Sequence, residues 1–406
     1  MRKKAKRDLT IEQKLARGPI DLPFLALVLL LTAIGLVMVL SASYASAMYD
    51  LENQTKGDAF YYFRRQFEFG VLGVIAMFII SKIDYQRFRW MSVLVLLASI
   101  VLMLLVFTPL GRTGGGARRW IRFGPIRFQP SEIAKVGIIM FFSARLSKRD
   151  AQIGPPRKWS KRTFAGRAGA WMDRTGLLEL IPYGVVLGIV LGVIALQKHM
   201  SCMILVVVAA ASVLFASGVR LYWFFAGGGV VAAALWYIIT QTSYMTARIN
   251  AWRDPHSDLK GDGYQVWQSQ IAIGSGGLLG EGLGKSRQKY LFLPEEHNDF
   301  IFAIICEELG MVGACIIMAL FALLIIRGYW LALHARDRFG TLLIVGITTL
   351  TGLQVFFNIG VVTGFLPATG ISLPFFSYGG TALMIQLAEM GMILSVSRQI
   401  AAPKVE

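Results

Sequence analysis

GKSRQKYLFLPEEHNDFIFAIICEEL, residues Gly284–Leu309, passes without interruption from a charged loop into an apolar segment. The loop ends at Asp299, and the run that follows is long enough to cross ~30 Å of hydrocarbon. One acid is thereby expected where water meets lipid, the depth at which a lipid-linked substrate presents its headgroup. Asp299 has two readings there. It can do chemistry, or it can merely cap a helix, since an acid in the first turn complements the positive helix end.

Outward from this stretch, apolar blocks of about 18 to 25 residues recur along the chain. Hydrophobic residues make up 55% of the 406. The composition excludes a soluble protein with one large core. The expected fold is an all-α polytopic membrane protein of about ten spans: Leu22–Ser43, Phe67–Ile83, Met91–Pro109, Ser131–Leu146, Leu178–Leu196, Ser201–Ser217, Leu221–Ile239, Asp299–Ile326, Thr341–Val362 and Thr381–Val396. The second and sixth are the shortest. Residues 1–20 read as a basic cytoplasmic tail, 21–398 as the ten-span domain and 399–406 as a C-terminal tail. A large extracytoplasmic loop, 241–298, separates spans seven and eight.

With the N-terminus inside, the cytoplasmic segments hold more than half of the 41 Lys and Arg. This is the direction of the positive-inside rule, and ten spans return the C-terminus to the cytoplasm. The net charge of +17 is then mostly topology and contact with anionic lipid. Nucleic acid is not an expected partner, because no aromatic–basic module lies outside the spans. The N-terminal region does not read as a cleaved signal peptide: its apolar stretch is too long and lacks a small-residue cleavage site. Cys202, Cys306 and Cys315 all fall in apolar spans and suggest neither a disulfide framework nor a metal site.

The loop Gly111–Pro130, GRTGGGARRWIRFGPIRFQP, carries Arg112, Arg118, Arg119, Arg122 and Arg127 on the outer side, where arginine should be scarce. Guanidinium groups grip phosphate through paired hydrogen bonds, which suggests an anion site. Snorkelling towards headgroups, with Trp120 in the interfacial belt, is the alternative. The glycines favour a shaped loop. Glu132 and Lys135 open span four three residues apart, so they share a helix face and can pair. Intramembrane charge of this kind serves a cavity or a structural ion pair.

Ile271–Leu283 is Gly-rich and weakly amphipathic, and reads as a re-entrant or interfacial segment. GEGLGKS, Gly280–Ser286, resembles a phosphate loop but lacks the required first glycine, because Leu279 stands there. Lys285, Arg287 and Lys289 either bind phosphate or form a solvated basic loop. At least one of Glu307 and Glu308 must be paired or line a cavity. Gln354, Asn358, Gln386 and Glu389 make spans nine and ten partly hydrophilic. In TGFLPATGISLPFFSYGGTA, Thr363–Ala382, prolines and glycines break the helix, so this segment must be buried in protein or line a cavity. Ser377 and Tyr378 would face the cavity that holds Asp299, unless the segment is an ordinary re-entrant turn.

Four stretches in order, GARRWIRFGPIRFQPSEIAK, YQVWQSQIAIGSGGLLGEGLGKSRQK, LPEEHNDFIFAIICEELG and TGISLPFFSYGGTA, resemble the FtsW/RodA/SpoVE family of shape, elongation, division and sporulation proteins. The likeness covers nearly the whole chain from span one and leans towards the division and sporulation branches. It implies a ten-span peptidoglycan glycosyltransferase of the bacterial cytoplasmic membrane that polymerises lipid II at the outer face. It also implies a class B penicillin-binding protein, a transpeptidase, as partner, beside other division or sporulation membrane proteins. The family's essential acid falls on Asp299, its conserved arginine on Arg119 and its Glu/Lys pair on Glu132 and Lys135. One departure stands out: where many members have Gln/Glu-Pro-Asp-x-Gly-Thr, the chain reads Leu196-Gln-Lys198-His199-Met-Ser-Cys202, and no role is carried over.

Chain growth joins a sugar 4-hydroxyl to the anomeric carbon of a sugar diphosphate. The hydroxyl needs a positioned base, and the diphosphate needs positive charge. One carboxylate suffices, unlike the pair used by glycosidases. The resemblance thus makes Asp299 the catalytic base, with inversion. Arg118, Arg119, Lys285, Lys289, Gln268 and Ser377 form the expected substrate and diphosphate set, while Glu132 and Lys135 organise the cavity. Mg²⁺ or Mn²⁺ bridging Asp299 and diphosphate stays open, since no full ligand set is legible. No organic cofactor is expected. A lipid II flippase and a non-catalytic scaffold are the alternatives.

Overall fold

The computed structural model describes residues 18–400, apart from 52–54, 115–116, 124–125, 149–163, 242 and 256–260. Most of the expected basic tail, the RKWSKRTF stretch and the C-terminal tail lie outside the described residues.

The helices are α1 (Leu22–Tyr49), α2 (Tyr61–Lys82), α3 (Gln86–Leu105), α4 (Pro130–Leu146), α5 (Phe164–Thr175), α6 (Leu177–Leu196), α7 (Met200–Ala216), α8 (Tyr222–Gln241), α9 (Ser243–Arg253), α10 (Asp262–Gly276), α11 (Ile301–His334), α12 (Arg338–Val362) and α13 (Gly380–Ile400). A helix occupies each of the ten expected span positions, and α5, α9 and α10 are additional. Among the described residues six helices, α1, α3, α6, α11, α12 and α13, are long and apolar enough to cross a bilayer. Large exposed apolar side chains such as Leu72, Ile75 and Ile79 on α2, and Leu94, Leu97 and Val101 on α3, form the surface that lipid would cover.

The arginine-rich loop departs from expectation. It folds as a three-stranded antiparallel sheet in the order β1 (Gly111–Gly114), β2 (Ala117–Phe123), β3 (Ile126–Phe128). The reason is local: glycines and aromatics permit tight reversals, and ARRWIRF alternates like a strand. Arg112 pairs with Trp120, and Arg122 with Arg127. The two-residue period puts Arg118, Trp120 and Arg122 on one face of β2, and Arg119 with the fully buried Ile121 on the other.

The chain divides into two compact units. One comprises residues up to Tyr85 and from Gly218 onward; the other is Gln86–Ser217. In the first unit α13 lies along α2 at close range, with Gly391 against the Met77 backbone, as small residues allow in apolar helix pairs. Helix α12 is capped by Asp337, which accepts from Gly340 N and also from Tyr85 Oη at 2.7 Å. In the second unit α4 packs between α3 and α7, and α6 runs beside α7.

Two breaks in regular structure shape the first unit. Helix α11 is interrupted at Gly310, whose φ is 67, a backbone region that suits glycine. The helix bonds lost there are replaced by the loop after α10. Met311 N donates to Gly277 O at 2.9 Å and Val312 N to Leu278 O at 3.1 Å, while Glu307 O and Glu308 O accept from Glu281 N and Gly282 N, each at 3.0 Å. The expected re-entrant character of Ile271–Leu283 resolves here into the end of α10 plus a loop that splices into α11.

The second break is the extended segment before α13. Its backbone is satisfied by side chains of the spans around it, as chain at membrane depth requires. Gln66 donates to Ser377 O at 3.0 Å and accepts from Gly379 N and Gly380 N. Gln386 accepts from Phe375 N at 3.0 Å. Of the polar residues noticed inside the apolar spans, Gln386 serves to hold that segment, and Gln66, at the start of α2, joins it.

Candidate active site

Asp299 stands two residues before α11, not in its first turn. Phe300 occupies the N-cap position, and no side chain caps the helix. The capping reading is therefore set aside. The backbone leading to Asp299 is held carbonyl by carbonyl: His297 O accepts from Tyr378 N at 2.8 Å, Asn298 O from Ser377 Oγ at 2.8 Å, and Asp299 O from Asn358 Nδ2 at 2.7 Å. Asp299 is itself half-buried. Its Oδ2 lies against Gly370, where an added Cβ would sit 3.1 Å away. Gly370 has φ +69, so both its backbone angle and the carboxylate beside it favour glycine. The rings of Tyr62, His297 and Tyr378 pack together next to this turn, with Tyr62–His297 centroids 4.4 Å apart.

Eight and nine residues further on, Glu307 and Glu308 are both buried and both saturated. Glu307 accepts from the Ser286 hydroxyl and from Arg287 N at 2.9 Å. Glu308 accepts from Ser41 Oγ at 2.7 Å and from Lys289 Nζ at 2.9 Å. This corrects the expectation for Lys289. Its ammonium is 2% exposed and also bonds Gly284 O at 2.6 Å and Ser41 Oγ at 3.3 Å, so it has no donor left to offer a diphosphate. Burying it costs too much without those partners. Lys289 locks the 284–289 loop onto α11.

Ser377 is corrected in the same way. It is 7% exposed, and its hydroxyl donates to Asn298 O while accepting from Leu373 N at 2.6 Å. It holds the Asp299 turn rather than a substrate. Gln268 is buried on α10, while Lys285 is exposed on the same loop as Lys289.

The second unit gathers a separate cluster. Glu132 and Lys135 form the expected i,i+3 pair at 2.8 Å, with Lys135 3% exposed. Pro130 starts α4 as its first residue. Arg119 donates to Lys198 O at 2.6 Å, and Gln129 Nε2 lies 3.3 Å from His199 Nδ1. Gln197 Nε2 bonds Met103 O at 2.8 Å. The Lys198–His199 turn, left without a role in the sequence, thus seats the Arg119 guanidinium. Lys198 adopts a left-handed φ of 54 to present that carbonyl. Burial, reinforced by the charges of Arg119 and Lys135, pushes the His199 pKa down to about 3, so the ring is neutral beside two cations. Arg118 is exposed on the opposite face of β2.

The expected site residues therefore divide by unit: Asp299, Lys285, Lys289, Gln268 and Ser377 in the first, Arg118, Arg119, Glu132 and Lys135 in the second. Among the described residues no group of three or more His, Cys, Asp or Glu is placed to hold a metal.

A family model described as cell cycle protein, covering FtsW, RodA and SpoVE, matches residues 22–402. The chain is 38% identical over 381 residues to the probable peptidoglycan glycosyltransferase FtsW of Geobacter metallireducens, covering 94% of this chain and 95% of that one. It is 37% identical over 379 residues to stage V sporulation protein E of Bacillus subtilis, covering 93% and 97%. Two solved structures share the architecture. One, from work on structural coordination of polymerization and crosslinking by a peptidoglycan synthase complex, superposes with a TM-score of 0.71 at 26% identity over 94% of this chain and 98% of that one. The rod shape determining protein RodA of Thermus thermophilus gives 0.64 at 27% identity, over 93% and 97%.

Proposed function

The chain belongs to the FtsW/RodA/SpoVE family of cell cycle proteins, and from that membership we propose the reaction it runs. It is a multi-pass membrane peptidoglycan glycosyltransferase that polymerises lipid II into glycan strands for division or sporulation. The observation that carries the mechanism is the fixed backbone of Asp299, three consecutive carbonyls each tied to a donor. An acid whose backbone is held in this way is pre-positioned to act as a general base.

In the proposed step, Asp299 takes the proton from the sugar 4-hydroxyl of the acceptor. The freed oxygen bonds to the anomeric carbon of the donor from the face opposite the diphosphate. The carbon–oxygen bond to diphosphate breaks, and the configuration inverts. The diphosphate leaves with both bonding electrons, which positive charge stabilises. In the first unit we assign that charge to the exposed Lys285; in the second, Arg118 and Arg119 form an anion-binding cluster of their own, which Glu132 and Lys135 organise. We assign the reaction to the outer face of the bacterial cytoplasmic membrane, both termini inside. The partner is a class B penicillin-binding protein, by analogy with the peptidoglycan synthase complex whose chain shares this fold.

The test is glycan polymerisation from purified lipid II by the protein co-purified with its transpeptidase. Wild type is expected to yield long polymer and Asp299→Ala none. Equal polymer from both would remove Asp299 from the chemistry, and none from either would shift the function to lipid transport or scaffolding.

A further inference from the structure

Asn358 holds the Asp299 backbone from within a long apolar helix. It lies on α12, is 1% exposed, and its Nδ2 donates twice: to Asp299 O at 2.7 Å and to Ile371 O at 2.8 Å. Ile371 adjoins Gly370, the residue against the Asp299 carboxylate. A single amide therefore fixes both the residue that bears the acid and the chain that walls it. Asn358 Oδ1, by contrast, is buried and has no hydrogen-bond partner among the described residues. An orphaned acceptor in an apolar environment lowers stability. A leucine would avoid that cost but would leave the Asp299 and Ile371 carbonyls without this donor, so the asparagine is explained by the two stretches of backbone it holds rather than by packing.

We infer that Asn358 is a positioning residue for glycosyl transfer, setting the depth and direction of the Asp299 carboxylate, with Ser377 as its second anchor one residue earlier. This rests on the assignment of Asp299 as the base. Asn358 touches no reacting atom; it acts through the backbone it holds. A misplacement on the order of 1 Å at the reacting group costs roughly a hundredfold in rate, which sets the expected effect.

The experiment compares steady-state lipid II polymerisation by the intact partner complex for wild type, Asp299→Asn, Asn358→Leu, Ser377→Ala and Ser377→Thr. Thermal unfolding is measured in parallel. In Asn358→Leu, kcat per folded molecule is expected to fall about a hundredfold while KM stays within about twofold, with a lower unfolding midpoint because two backbone carbonyls lose their donor. A wild-type kcat in that variant, or a loss carried by KM alone, overturns the inference. If Asn358→Leu does not fold, the serine pair decides. A loss of about tenfold in kcat for Ser377→Ala, restored by threonine, supports positioning, and no loss in Ser377→Ala overturns it. Asp299→Asn separates the two levels. A normal rate there removes the base itself, whereas an inactive Asp299→Asn beside a fully active Asn358→Leu removes only the positioning role.

Discussion

Two acidic sites stand within ten residues, one just before helix α11 and one inside it, and they are built on opposite plans. At Glu307 and Glu308 the carboxylates are the bonded groups, each meeting hydroxyl, backbone or ammonium donors in a buried setting. At Asp299 the backbone carbonyl is fixed by Asn358, and the half-buried carboxylate lies against a glycine. A charge that serves architecture is saturated by its own side chain. A charge that serves chemistry needs its Cα fixed while its oxygens stay accessible to a substrate.

The sharpest way to break this contrast is to neutralise each site in turn. Asp299→Asn keeps the shape and every backbone tie but removes the base. Polymerisation is expected to fall by about a thousandfold or more, within the range general-base loss produces, at an unchanged unfolding temperature. Lys289→Met strands the Glu308 carboxylate. Losing one partner of a buried pair costs on the order of 3–5 kcal/mol, so calorimetry or detergent-challenge assays should show a large drop in stability. Turnover per folded molecule should stay near wild type.

Gly370→Ala sharpens the picture from the wall side. The added methyl meets both a left-handed backbone angle, worth about 1 kcal/mol, and the Asp299 carboxylate. A fall of several-fold in kcat is expected, smaller than for Asp299→Asn and larger than the accompanying loss of stability would explain.

The last contrast concerns the second unit, and it shows only on the acid side. The folded pKa of His199, about 3, lies below the unfolded value of about 6.5. As pH falls through this window the unfolded chain binds a proton that the folded chain refuses. The stability tied to the neutral ring is therefore present above pH ~6.5 and is lost progressively towards pH ~3, at up to about 1.4 kcal/mol per pH unit. His199→Gln should flatten the acid side of an unfolding-midpoint profile without changing activity's dependence on pH above neutrality.

Sequence alone carried the helices, because apolar length is a one-dimensional signal. It carried the Glu132–Lys135 pair for the same reason, since three residues along a helix set the contact. It did not separate Lys289 from Lys285. Both sit in one glycine-rich loop, and only the docking of that loop onto the broken helix buries one and exposes the other. The Asp299 cap was ambiguous because the decision turned on a helix start two residues later. The sheet was hidden in a segment where arginine count outweighed alternation. Arg119 meeting Lys198 needed chain 79 residues away, and Asn358 showed only as an amide in an apolar run, the one trace that could have flagged it.

The central claim is tested most directly by assaying Asp299→Asn and Lys289→Met side by side, with wild type, for lipid II polymerisation per folded molecule and for thermal unfolding. The account predicts a stable, inactive Asp299→Asn and a destabilised, active Lys289→Met. An active Asp299→Asn, or a stable Lys289→Met that no longer polymerises, would contradict it.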